Sequence, residues 1–167
     1  MKRIVIAVLC ILFSAGMQAQ IQTKFLGLEL SKGYPTIERA RDIIADRCER
    51  TEINGNLLFA YGVHFAGSKW ESATISFYKI NNTNVIDAVS FVKSDMRRKE
   101  LKSLFNDYLE ALTNKYGPSK KYASFYTWNS KDGKYSCGLL LTKCSITIMY
   151  HDMELLKMSK EIENSEL

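Results

Sequence analysis

The chemistry this chain could do rests on few side chains. His64 and His151 are its only histidines, so an imidazole acting as general base or metal ligand must be one of these two. No His-x-His or His-x-x-x-His ligand spacing surrounds either. Four cysteines occur, Cys10, Cys48, Cys137 and Cys144. A thiol enzyme pairs a thiolate with an imidazole. Cys137 or Cys144 could meet His151, but all three fall on neighbouring strands of one expected hairpin. No spacing matches a zinc site or a Cys-x-x-Cys redox pair. A serine hydrolase of the Gly-x-Ser-x-Gly type is not encoded, because Ser68 follows Gly67 without the second glycine or a strand-to-helix context. The eighteen carboxylates are scattered, and no pair stands out for glycoside hydrolysis. Leu26-Gly27-Leu28 is isolated and Gly33 precedes Tyr34-Pro35, so no glycine-rich phosphate loop is present. The residues therefore name no catalytic, cofactor-binding or metal-binding position and imply no cofactor.

Compartment is more legible than chemistry. Lys2 and Arg3 precede an apolar run, Ile4 to Phe13, and a small, polar stretch that ends at Ala19. This is the layout of a secretory signal peptide over residues 1–19, with the mature chain starting at Gln20. The apolar run is about ten residues against the roughly twenty that cross a bilayer as a helix. No later stretch is long enough, so no membrane span is expected after cleavage, and the expected location is periplasmic or secreted. Cys10 lies inside the apolar run rather than just after it, which argues against a lipid-anchoring cysteine.

The net charge is +5, and falls to +3 without Lys2 and Arg3. That is ordinary solvation charge. Arg97-Arg98-Lys99 and Lys120-Lys121 read as exposed faces, and nucleic acid is not an expected partner of an exported chain without a binding motif. Export permits disulfides, but Cys48, Cys137 and Cys144 leave one thiol over. A Cys137–Cys144 bridge would need opposed hairpin positions around Gly138–Lys143, so buried free thiols are the expectation.

The elements that would position these side chains follow from periodicity. Phe25–Leu30 reads as an opening strand. Ile37, Ala40, Ile44 and Cys48 fall on one face of a helix placed at 35–50. After the Asn54-Gly55 turn the period changes to two: Leu57, Phe59, Tyr61, Val63 and Phe65 line one face of a strand, and strands at 74–80 and 85–92 complete a meander. Asp95 is the expected cap of a second helix whose apolar stripe runs through Leu101, Leu104, Phe105, Tyr108, Leu112 and Tyr116. Gly117-Pro118 ends it. Strands at 124–129, 135–141 and 145–150 follow, the first two joined by a turn at Lys131–Lys134. Asp152 is placed to cap a last helix from Met153 to about Ile162. Trp128 reads as core; Trp70, just after the Gly67-Ser68-Lys69 turn, could stand at a loop rim. The expectation is one α+β domain, residues 20–167. In it two helix-plus-three-strand repeats, about 35–93 and 95–151, form antiparallel sheet with helices on one side.

One resemblance adds to this. Leu109 to Tyr116, Gly117-Pro118, Trp128-Asn129-Ser130-Lys131-Asp132-Gly133, a leucine strand and Ile148-Met149-Tyr150-His151-Asp152 resemble a pattern in small exported proteins of Gram-negative bacteria. Phe25-Leu26-Gly27-Leu28 and Phe65-Ala66-Gly67 are similar to the same group. Helix-plus-meander repeats of this kind resemble β-lactamase-inhibitor-like proteins and the small lipoprotein of the outer-membrane β-barrel assembly machine. The lipoprotein's anchoring cysteine has no counterpart here, and the resemblance carries over no functional residue. With no reactive cluster in the sequence, the expectation is a non-enzymatic exported module that binds another protein or an envelope component through its sheet face or its loops. The alternative is an exported hydrolase whose site is assembled from residues far apart in sequence.

Overall fold

The computed structural model describes residues 19–165; residues 1–18 of the expected signal peptide lie outside them. The chain opens on a tight hairpin rather than a single strand. β1 (Lys24–Phe25) and β2 (Leu28–Glu29) pair antiparallel across Leu26 and Gly27. Both turn residues are left-handed, φ 52° and 88°, as a two-residue turn between twisted strands requires. The expected strand over 25–30 therefore folds back on itself and seats Phe25 and Leu28 in the core.

β3 (Gly33–Tyr34) leads past Pro35 to Thr36, whose hydroxyl accepts from the Arg39 N–H at 3.2 Å and caps α1 (Ile37–Ile44). The expected helix over 35–50 is shorter than its apolar stripe. It tightens into a 3₁₀ turn at Ala45–Arg47, and Arg50 already belongs to a strand. Four strands follow: β4 (Arg50–Asn54), β5 (Leu57–Phe65), β6 (Ser68–Ile80) and β7 (Thr83–Lys93).

α2 (Arg98–Tyr116) comes next and buries Leu101, Phe105, Leu112 and Tyr116. Asp95 is not its cap. It sits upstream at φ 28°, and the Glu100 carboxylate accepts from the Arg97 N–H instead. Gly117, at φ 85°, closes the helix with its N–H on the Thr113 carbonyl. Four more strands, β8 (Lys120–Tyr122), β9 (Phe125–Asn129), β10 (Tyr135–Leu141) and β11 (Ile146–Asp152), precede α3 (Met153–Ser165).

The nine-stranded sheet runs β4-β5-β6-β7-β11-β10-β9-β8, with β3 paired to the start of β7. All its pairings are antiparallel. The α+β class is as expected; the two helix-plus-three-strand repeats are not. α1 and α2 are each followed by four strands, and the two meanders join at the β7–β11 pair. The added strands, β4 and β8, are the sheet's two edges.

The core covers one face. Cross-strand neighbours Leu58, Ile75, Val89, Tyr150, Cys137 and Trp128 form one buried row, and Ala60, Ala73, Phe91, Ile148 and Leu139 another. α1 contributes Ala40 and Ile44 to the same cluster. Rings from four strands meet at its centre: Phe65 stacks on Phe91 at 3.9 Å, and Phe25 lies 4.4 Å from Tyr150. Trp70 is fully buried, not at a loop rim. Its indole N–H donates to the Phe65 carbonyl at 2.9 Å, and its ring lies 5.3 Å from Tyr108 of α2. Trp128 is core as expected, its N–H on the Gly117 carbonyl at 2.9 Å.

Asp152 caps α3 as expected: one carboxylate oxygen accepts from the N–H groups of Glu154 and Leu155 at 2.9 and 3.1 Å. The other accepts from the Ser31 hydroxyl, which also lies 3.1 Å from the Tyr135 hydroxyl. One buried side chain thus ties β2's exit, β10 and α3 together. Asp152→Ala removes a cap and the acceptor of the half-buried Ser31 hydroxyl, each worth about 1–2 kcal/mol. A loss of about 2–3 kcal/mol in urea unfolding is expected; a loss under about 1 kcal/mol would show the hub to be dispensable.

Candidate functional site

Two features could act on another molecule. The first is the sheet face turned away from the core. Alternation puts every second residue there. One row runs Tyr61, Ser72, Val92, Thr147, Leu140, Phe125. The next runs Phe59, Thr74, Ser90, Met149, Gly138, Thr127. Apart from Gly138, which is buried, these residues are half-exposed. The rows span six strands, a width of about 24 Å at the usual strand spacing. They hold no charge. Charges flank them only at the edges: Arg50 and Glu52 on β4, Lys120 on β8. The Arg50 guanidinium sits 4.2 Å from the Tyr61 ring centroid. Aromatic wings and a charged rim are features that protein interfaces share, whereas serines are not enriched in them.

The phase of this face corrects the expectation for β5. Leu57, Phe59 and Tyr61 point away from the core, which takes Leu58 and Ala60 instead. Gly62, at φ 64°, then flips the strand so that Val63 is buried.

The second feature is a cleft of about 730 Å³ among β1, the 3₁₀ turn, the end of β5 and the last turn of α2. Its lining includes His64, Cys48, Asp46 and Glu49. This is the grouping a thiol hydrolase would need, and sequence order hides it. The chemistry does not follow from the grouping. The Cys48 thiol donates to the Ile44 carbonyl at 3.4 Å, back into its own helix turn. Burial pushes its pKa up, away from the thiolate that a nucleophile requires. Glu49 is held by a hydrogen bond and ion pair from Lys69, which lower its pKa. Its carboxylate lies over Gly62, where an added Cβ would stand 2.4 Å from it.

His151 is half-buried on β11 and lies across from Ala88 of β7 and Ser136 of β10. Cys137, on the core face, is opposite Tyr150, and Cys144 is exposed in the turn beyond Leu141. The structure therefore brings neither cysteine to His151. The three cysteines are free, but only Cys137 is buried: Cys48 is half-exposed and Cys144 exposed. Among the described residues, no group of three or more His, Cys, Asp or Glu side chains could hold a metal ion.

No protein-family model, curated protein or solved structure matches this chain. Its surfaces must carry the functional reading alone. Among the described residues no helix is long and apolar enough to cross a membrane.

Proposed function

We propose that this chain is an exported, periplasmic or secreted, non-enzymatic binding module that engages a protein or another envelope component through the uncovered face of its sheet. The observation that carries the reading is the uncharged double row from β5 to β9. On one side of the same six strands the rows are closed by helices into a core. On the other they keep half-exposed aromatic, aliphatic and hydroxyl groups with ions only at the rim. Covering such a surface desolvates no ion, and its aromatic wings supply contact area. The hydrolase alternative has the His64 cleft in its favour, but lacks an activated nucleophile beside that imidazole.

The test uses the chain from Gln20 on as bait in envelope extract, beside a Ser90→Glu/Thr147→Glu variant. Both substitutions place charge in the middle of the face without touching the core. Burying an unpaired carboxylate in an interface costs several kcal/mol. The variant is expected to lose its specific partner by at least about tenfold while its unfolding free energy stays within about 1 kcal/mol. A partner retained equally by the variant would reject the sheet face. Turnover of an envelope substrate, abolished by His64→Ala, would favour the hydrolase.

A further inference from the structure

We infer that the His64 cleft is a second, independent binding site for a small polar dianion, a molecule of about disaccharide size carrying carboxylates or phosphates. Three cations reach it from three elements: Lys24 of β1, Arg47 of the 3₁₀ turn and Lys115 of the last turn of α2. Among the described residues the ion pairs are Arg41–Asp42 and Lys69–Glu49. Lys24, Arg47 and Lys115 thus enter the cleft with no carboxylate bonded to them. Of the two acids that line the cleft, Lys69 already balances Glu49, which leaves Asp46 beside the three cations; Glu29, across the hairpin from Lys24, is not part of the lining. The surplus is two positive charges, which a dianion would match.

Two of the cations have neighbours at the cleft wall. Gly27 of the hairpin turn packs beside α1 and the 3₁₀ turn: an added Cβ would stand 3.1 Å from Ile43 and 3.5 Å, ordinary contact, from the Arg47 guanidinium carbon. The Lys115 ammonium donates to the Gln22 side-chain carbonyl at 3.4 Å and lies 5.1 Å from the Tyr116 ring centroid. The volume, about 730 Å³, falls in the range of small-molecule sites. Phe25 and Leu26 line the cleft but are only 3% and 9% exposed, so the surface offered is polar and suits a hydrophilic ligand rather than a lipid tail.

The experiment is an amide-resolved NMR titration of the chain from Gln20, at low salt, with digalacturonate, glucose 6-phosphate and maltose. Saturable shifts are expected at Gln22–Leu26, Asp46–Glu49, Gly62–Ala66 and Lys115 with one or both acidic probes, weakening as salt screens the contacts. Binding of digalacturonate alone assigns carboxylates as the partner group, and binding of glucose 6-phosphate alone assigns phosphate. Arg47→Ala/Lys115→Ala is expected to weaken that binding by about tenfold or more. Both positions are exposed, so the rest of the spectrum should be unchanged. The inference is overturned if neither acid binds, if maltose shifts the same amides as strongly, or if the double variant binds as tightly as the parent.

Discussion

Replacing Trp70 by alanine is expected to lower the unfolding free energy by about 3–5 kcal/mol, the range for truncating a fully buried large ring. Trp70 is 0% exposed, and its ring lies within about 6 Å of Phe65, Phe91 and Tyr108, drawn from β5, β7 and α2. Removing it opens a void where the helix crosses the sheet, and it leaves the Phe65 carbonyl without the indole N–H that now donates to it. Trp70→Phe separates the two effects, since it keeps an aromatic ring and loses the donor. It should cost about 1–3 kcal/mol. Urea unfolding followed by far-UV circular dichroism gives both numbers. An alanine variant within about 1.5 kcal/mol of the parent would mean that α2 does not depend on this contact.

That this residue reads ambiguously in sequence shows where the periodicity argument stops. α2 was legible because its apolar residues repeat on a single stripe against solvated neighbours, and every stripe residue packs on the core. β4 was not, because Arg50-Thr51-Glu52-Ile53-Asn54 has one apolar residue in five. It is an edge strand held by backbone pairing to β5, and edges carry charge on purpose. β8, with Lys120, Lys121 and Tyr122 all exposed, was hidden for the same reason. Both omissions are edges, which is why three strands per helix were expected where four exist. β5 failed differently: Leu57-Leu58-Phe59-Ala60-Tyr61 is apolar on both faces, so alternation alone cannot say which face is buried. That ambiguity is also the functional clue, since a strand with two apolar faces beside a one-sided core leaves one of them for a partner. The cleft was illegible because Lys24, Arg47, His64 and Lys115 are brought together by the hairpin and the last turn of a distant helix, not by spacing.

Alkaline pH is expected to destabilise this protein steeply, with Cys137 initiating the loss. Desolvation in the core pushes the thiol from its ordinary 9.0 up to about 12, against the smaller opposing effects of the Tyr150 hydroxyl and Lys115. Below pH 9 the folded and unfolded chains both keep the proton, so the group contributes no pH dependence. Between about 9 and 12 the unfolded chain releases it while the folded chain holds it, and each pH unit then favours unfolding by about 1.4 kcal/mol, roughly 4 kcal/mol across the window. Tyr150, raised above 10.0 chiefly by burial, adds to the slope only above its own unfolded value. Cys137→Ala should therefore lose about 1 kcal/mol at pH 7 through a small cavity, yet gain on the parent between pH 9 and 10. Groups common to both proteins, Cys48 included, cancel in that comparison. Urea midpoints measured at pH 8, 9 and 10 decide it, and parallel slopes would show that Cys137 ionises as freely folded as unfolded. A steeper parent slope would instead establish a thiol held neutral inside the sheet. Such a thiol can neither attack a substrate nor bind a metal as a thiolate, which leaves Cys137 to packing.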